Sequence, residues 1–132
     1  MLRRTLTVFA LTLGIAFSLP ALAADGHGHR HGYQPMHAGI VAEVGDNSYE
    51  LVARADSLTL YIFDHGKPVA TEGAQAEIVL HGSSEKIVVP LQSAGENRMT
   101  AKGDFKVGVG VRAALTVRLA GKAGATATFR LK

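Results

Sequence analysis

From Gly39 onward apolar side chains recur at every second position, in short runs separated by turn-forming residues. Leu58, Leu60 and Ile62 alternate along Ser57–Phe63. Ala76, Ile78 and Leu80 follow the same rule, as do Ile87, Val89 and Leu91. Leu115, Val117 and Leu119 alternate with Thr116 and Arg118. A period of two places one set of side chains on one face of a strand, so each run predicts a half-buried β-strand. Ile40–Val44, Tyr49–Ala53, Arg98–Ala101 and Thr126–Leu131 complete the set. The stretches between them, G-D-N-S, D-H-G-K-P, G-S-S-E and A-G-K-A-G, are turn chemistry. G-S-S-E has the length of a four-residue hairpin loop. No helical period occurs in this region. The prediction is an all-β fold, an antiparallel immunoglobulin-like β-sandwich of about seven strands. The Trp and Cys pair of antibody-type domains is missing, so the likeness is one of architecture.

The first residues follow a different pattern. Arg3 and Arg4 precede an apolar run, Leu6 to Leu19, and Ala21-Leu22-Ala23 supplies a small–x–small cleavage site. Residues 1–23 therefore read as a secretory signal peptide, which predicts a periplasmic protein. The run is short for a bilayer span, and no second one follows, which predicts no membrane anchor. Residues 24–36 read as a flexible His-rich leader, because A-D-G-H-G-H-R-H-G-Y-Q-P has no apolar periodicity with which to offset its ordering entropy. Residues 37–132 form the predicted sandwich domain.

Charge narrows the function classes. Removing residues 1–23 takes away two arginines and no acids, so the formal charge falls from +3 to +1. The remaining Lys and Arg are interleaved with acids, which argues against a nucleic-acid partner. With no cysteine in the chain, any metal must be held by His, Met, carboxylates or backbone nitrogen. Gly-x-Ser-x-Gly, a phosphate-binding Gly loop and His-Glu-x-x-His are all absent, and no carboxylates are paired by spacing. The expectation is a protein that is not an enzyme.

The candidate chemistry lies in histidines. His27, His29 and His31 occur at alternate positions in a Gly-rich segment that lets imidazoles converge on one ion. The competing reading is a solvated tail. Met36-His37 pairs a thioether with an imidazole where the domain begins, a combination suited to Cu(I). Equally, Met36 could cover an edge of the sandwich with His37 a surface residue. His65, in the turn D-H-G-K-P, is a feasible ligand together with Asp64, or simply a turn residue. His81 ends a strand and reads as a rim residue.

The stretch H-A-G-I-V-A-E-V-G-D-N-S-Y-E-L-V, His37 to Val52, with Asp64 and Gly66-Lys67-Pro68 after it, carries a resemblance. It resembles the His-Gly-Gly-type metal-binding N-terminal domain of periplasmic adaptors of Czc-type heavy-metal efflux systems, here as a small free-standing secreted protein. Ala38 departs from that pattern, standing where the first Gly of the pair belongs. The resemblance implies a module serving metal resistance, with His37 the one ligand carried over.

Together these expectations describe a periplasmic transition-metal-binding protein, a buffer or chaperone associated with heavy-metal efflux. The metal would be Cu, Zn, Ni or Co, the partner an efflux adaptor or pump, and the ligands would come from His27, His29, His31, Met36, His37 and His65. The alternative is a non-catalytic interaction module whose histidines are incidental.

Overall fold

The computed structural model describes residues 32–132, so the proposed signal peptide and the leader histidines His27, His29 and His31 lie outside it. Nine strands account for most of the described chain: β1 (Ile40–Val44), β2 (Asn47–Ala53), β3 (Ser57–Asp64), β4 (Lys67–Pro68), β5 (Gln75–His81), β6 (Lys86–Ser93), β7 (Arg98–Lys102), β8 (Arg112–Arg118) and β9 (Ala125–Arg130). The described residues hold no helix, and every strand pair is antiparallel.

The ninth strand is the short β4. The sequence D-H-G-K-P reads as a turn, but only His65 and Gly66 turn. Both have positive φ, 48° and 78°, as a tight two-residue hairpin requires, and Lys67 returns to pair with Asp64. Likewise, only Gly45 and Asp46 turn within G-D-N-S, and Asn47 and Ser48 already belong to β2. G-S-S-E does form the four-residue loop, between His81 and Lys86.

Strands follow the order β1-β2-β3-β7-β6-β5-β8-β9, with β4 beside β3. The path is continuous but thin at one seam. β6 and β7 share only the pairs Gln92↔Thr100 and Ser93↔Met99. The sheet curls until β9 lies against β1, which leaves it nearly closed. Alternation along the strands fills the interior: Leu58, Leu60, Ile62 and Ile78 are fully buried, and Leu115 and Phe129 nearly so.

One face outside this core is also covered. Glu43 of β1, Ser48 and Glu50 of β2, and Tyr61 and Phe63 of β3 are the outward members of their strands, and registers Glu43↔Ser48, Ser48↔Phe63 and Glu50↔Tyr61 set them side by side. Residues 32–39 lie across them as a strap. The Tyr33 ring packs 4.3 Å from Phe63, and the His37 ring stacks on Tyr61 at 3.6 Å with planes 3° apart. Beneath this strap Ser48, Glu50 and Phe63 are buried although they point away from the main core.

Candidate metal centre

Glu50 organises one end of the strap. Its carboxylate is fully buried and accepts backbone N–H donations from Met36 at 2.9 Å, His37 at 2.8 Å and Gly39 at 3.0 Å. His37 Nδ1 lies 3.1 Å from Glu50 Oε1. A buried charge is tolerated only when hydrogen-bonded, and this one is bonded four times. Burial, the largest single influence, pushes the carboxyl pKa up. The three backbone N–H groups and the His37 ring together outweigh it, so the net shift is downward.

The loop backbone is shaped around that carboxylate. Gly39 approaches β2 so closely that a Cβ there would lie 2.7 Å from the Leu51 carbonyl oxygen and 2.8 Å from Glu50 Cγ. Ala38 sits at φ 57°, left-handed backbone that glycine adopts freely and alanine only under strain. Alanine here thus holds a conformation that glycine would favour.

His37 is thereby fixed through both its backbone and its ring. An Nδ1 that donates to a carboxylate fixes the tautomer and leaves the Nε2 lone pair free, the arrangement common to metal-bound histidines. Its side chain is 37% exposed and borders a cleft lined by Val52, Arg54, Ser57, Thr59 and Tyr61. No carboxylate lines that cleft. The Met36 backbone is tied to Glu50 while the residue is 70% exposed, so its thioether does not pack over an edge.

His65 lies on the same outer face at the other end of the strap. Because Asn47 pairs with Asp64, the β1–β2 turn and the β3–β4 turn fall side by side, and the His65 N–H donates to the Asp46 carbonyl at 2.9 Å. His65 Nδ1 stands 2.6 Å from Asp64 Oδ1, and Nε2 stands 3.4 Å from Asp46 Oδ2. An open cleft there is lined by Gly32, Tyr33, Glu43, Asp46, Ser48 and His65, among others. The Tyr33 N–H donates to Glu43 Oε1 at 2.7 Å. The Tyr33 hydroxyl is buried without a hydrogen-bond partner, and burial followed by the Glu50 charge raises its pKa.

The described histidines are therefore not gathered at one point. Glu50, under His37, is four residues along β2 from Asp46, a spacing of about 13 Å. His27, His29 and His31 lie outside the described residues. His81 is exposed between its cross-strand neighbours Lys86 and Arg112, cationic surroundings that disfavour a metal ion. Among the described residues no group of three or more His, Asp or Glu converges to hold a metal by itself.

Glu50 and Asp46 are the two residues that reading the sequence missed. Glu50 looks like an ordinary outward member of β2, between the inward Tyr49 and Leu51. A signal for Asp46 was present in the two turns G-D and D-H-G, once their strands are paired. No family model, no curated protein and no solved structure matches the chain.

Proposed function

We propose that the chain is a periplasmic transition-metal-binding protein, a buffer or chaperone that passes an ion toward a heavy-metal efflux adaptor or pump. The observation that carries this reading is the His37 imidazole held through Nδ1 by a fully buried carboxylate, in a side chain that stays 37% exposed. His65, set against Asp64 in the same way, supports it further. The mechanism is ligand exchange: neutral imidazoles take an ion and surrender it stepwise, and no substrate bond is made or broken. The curled sheet is read as an immunoglobulin-like sandwich, its layers β1-β2-β3-β7 and β6-β5-β8-β9 meeting at the short β6–β7 seam. The signal peptide, the His-rich leader and the resemblance to the Czc-type adaptor domain belong to the same proposal.

Calorimetric titration of the purified protein with Zn(II) and Cu(II), at pH 7.5 and pH 5.5, tests this reading. Binding that weakens at the lower pH supports imidazole ligation, because the unperturbed histidine pKa is about 6.5. Affinity unchanged by pH and by loss of the histidines argues against it.

A second reading has its own observation. Lys86, His81, Arg112 and Arg130 form one cross-strand row on the outer face of β6-β5-β8-β9, beside the half-exposed Val88. Like charges directly opposite one another are unfavourable without an anionic neighbour. This row suits a protein-interaction module with an acidic partner. Reversing Arg112 and Arg130 to Glu abolishes partner capture under this reading and leaves metal uptake intact.

A further inference from the structure

The charges of this chain are sorted by position in the fold. At one end of the curled sheet β2, β5, β7 and β9 finish and β3, β6 and β8 begin. The β7–β8 loop, residues 103–111, ties this end together. The Gly103 N–H donates to the Asp56 carbonyl at 3.1 Å and the Phe105 N–H to the Ala55 carbonyl at 2.7 Å, while Lys106 Nζ stands 3.3 Å from Glu85 Oε2. The loop and the β2–β3 and β5–β6 turns therefore form one surface. Seven cations lie on it: Arg54, Lys102 and Lys106 in one half, Lys86, Arg112, Arg130 and Lys132 in the other. Among the described residues three carboxylates share it, Asp56, Glu85 and Asp104, and Lys106 pairs with one of them. Seven less three leaves this end a formal +4, although the chain without residues 1–23 carries +1.

The same end carries an apolar tip. Within V-G-V-G-V, residues 107–111, the Val111 N–H donates to the Gly108 carbonyl at 3.2 Å. Gly108 and Gly110 have positive φ, 152° and 90°, so the loop closes in a tight turn around Val109. Val109 is 91% exposed, and a Cβ on either glycine would meet nothing within 4 Å. The base of the turn is fixed: the Leu131 N–H donates to the Val111 carbonyl at 3.0 Å, and Phe105 is buried. Ile87 and Val88, next to Lys86, are exposed as well. A protein interface is anchored by buried aromatic side chains. This end offers none to a partner, because Phe105 and Phe129 are both buried in the fold. An apolar tip among Lys and Arg instead suits a bilayer surface, where apolar groups enter beneath the headgroups and cations meet anionic lipid.

We propose that this end is a peripheral contact for an anionic lipid bilayer. Val109 enters the headgroup region, and Arg112 and Arg130 are among the cations that hold the protein there. The contact is reversible and spans nothing. It does not depend on metal binding, and it gives the cationic row a lipid surface in place of an acidic protein.

The test mixes the purified full chain, in EDTA at pH 7.5, with vesicles of phosphatidylcholine alone or of phosphatidylcholine and phosphatidylglycerol in equal parts, and floats the vesicles. The chain has no Trp, so Val109→Trp places a single fluorophore at the tip. Every variant carries the same residues 1–31, so differences among them belong to this end, and thermal melting verifies that each is folded. The wild type should float with the mixed vesicles at about 0.02 M salt and come off at about 0.5 M, where screening reaches only about 4 Å. Phosphatidylcholine alone should not hold it. On the mixed vesicles the introduced indole should shift its emission to the blue. Arg112→Glu/Arg130→Glu should weaken binding roughly tenfold or more, since each Lys or Arg near an anionic surface contributes about fivefold. Val109→Asp should weaken it severalfold, and Lys122→Glu, on an exposed loop at the opposite end, should leave it unchanged. Equal binding by the wild type and Arg112→Glu/Arg130→Glu overturns the proposal, as does an indole on bound vesicles whose emission stays unshifted. Tighter binding to polyglutamate than to the mixed vesicles assigns the row to an acidic protein and overturns the lipid contact. None of these outcomes bears on the metal-binding reading, which its own titration decides.

Discussion

The His37 loop and the His65 turn repeat one device in two settings. Each places imidazole Nδ1 against a carboxylate, at 3.1 Å for Glu50 and 2.6 Å for Asp64, and each histidine borders a cleft. The Glu50 side chain is fully buried, while that of Asp64 is 38% exposed. Glu50 also gathers three backbone N–H groups, which Asp64 does not. The same pair of residue types thus does two jobs. In the loop the carboxylate is chiefly a fold element that fastens the strap, and the histidine is aligned as a consequence. In the turn the carboxylate contributes little to the fold and orients a ring that water can reach. The two regions separate according to what depends on each carboxylate.

The largest expected effect follows directly. Glu50→Gln keeps the volume but turns one oxygen into a donor facing backbone N–H groups. Buried donors left unpaired cost about 1–3 kcal/mol each, so the fold should lose about 3 kcal/mol. Asp64→Asn, at an exposed pair, should change stability by less than about 0.5 kcal/mol. Urea denaturation of both variants checks the contrast. Equal losses would mean that Glu50 does not hold the strap.

Acid breaks the comparison from the same side. The folded-state pKa of Glu50 is lowered, so its stabilising contribution is complete above the ordinary carboxyl range. It declines as pH falls through that range toward the folded value, as the unfolded chain takes up a proton the folded one resists. Tyr33, His37 and Tyr61 are the titratable side chains beside it. Urea midpoints measured from pH 6 down to pH 3 should therefore fall more steeply in the wild type than in Glu50→Gln. Parallel slopes would remove Glu50 as the acid-sensitive fastening.

Gly39→Ala attacks the loop without touching a charge. The added methyl meets the Leu51 carbonyl oxygen and Glu50 Cγ, and the first of these is backbone that cannot swing aside. Forced overpacking of this kind costs about 1–3 kcal/mol. The expected loss is about 2 kcal/mol, with a weaker hold on the strap. No change in the melting temperature would show that the loop has room to retreat.

These contrasts also explain which features could be read along the chain. The inward alternation of Leu58, Leu60 and Ile62 was legible because a period of two is local and each residue declares its own face. The burial of Glu50 was not, because its cover comes from Met36, His37 and Gly39, more than ten residues earlier and on no strand. The expected strand set lacked only β4, since two residues paired behind a tight turn have no periodicity to display. His65 was legible as a turn residue beside Asp64. Its approach to Asp46 required the β2–β3 register, Asn47↔Asp64, which is a property of two strands and not of either turn. His27, His29 and His31, which composition singled out, lie outside the described residues.

The smallest effect concerns two non-glycine residues in left-handed backbone, Ala38 at φ 57° and His65 at φ 48°. For alanine, this conformation costs about 1–2 kcal/mol, from the Cβ crowding the following carbonyl. Replacing it with glycine removes that cost but loosens the unfolded chain by about 0.4–1 kcal/mol. The difference favours Ala38→Gly by about 0.5–1 kcal/mol. Histidine is several-fold enriched in this region relative to most side chains, so its strain is smaller and His65→Gly should come out near zero. Its contacts with Asp64 and Asp46, on exposed side chains, alter that balance little. Thermal melting of the two apo variants measures the difference directly. A stabilised Ala38→Gly beside an unchanged His65→Gly means that the loop bears backbone strain which the turn does not. A destabilised Ala38→Gly would mean instead that the Ala38 methyl makes a contact worth more than its strain, and the loop would then tolerate alanine in left-handed backbone because of packing.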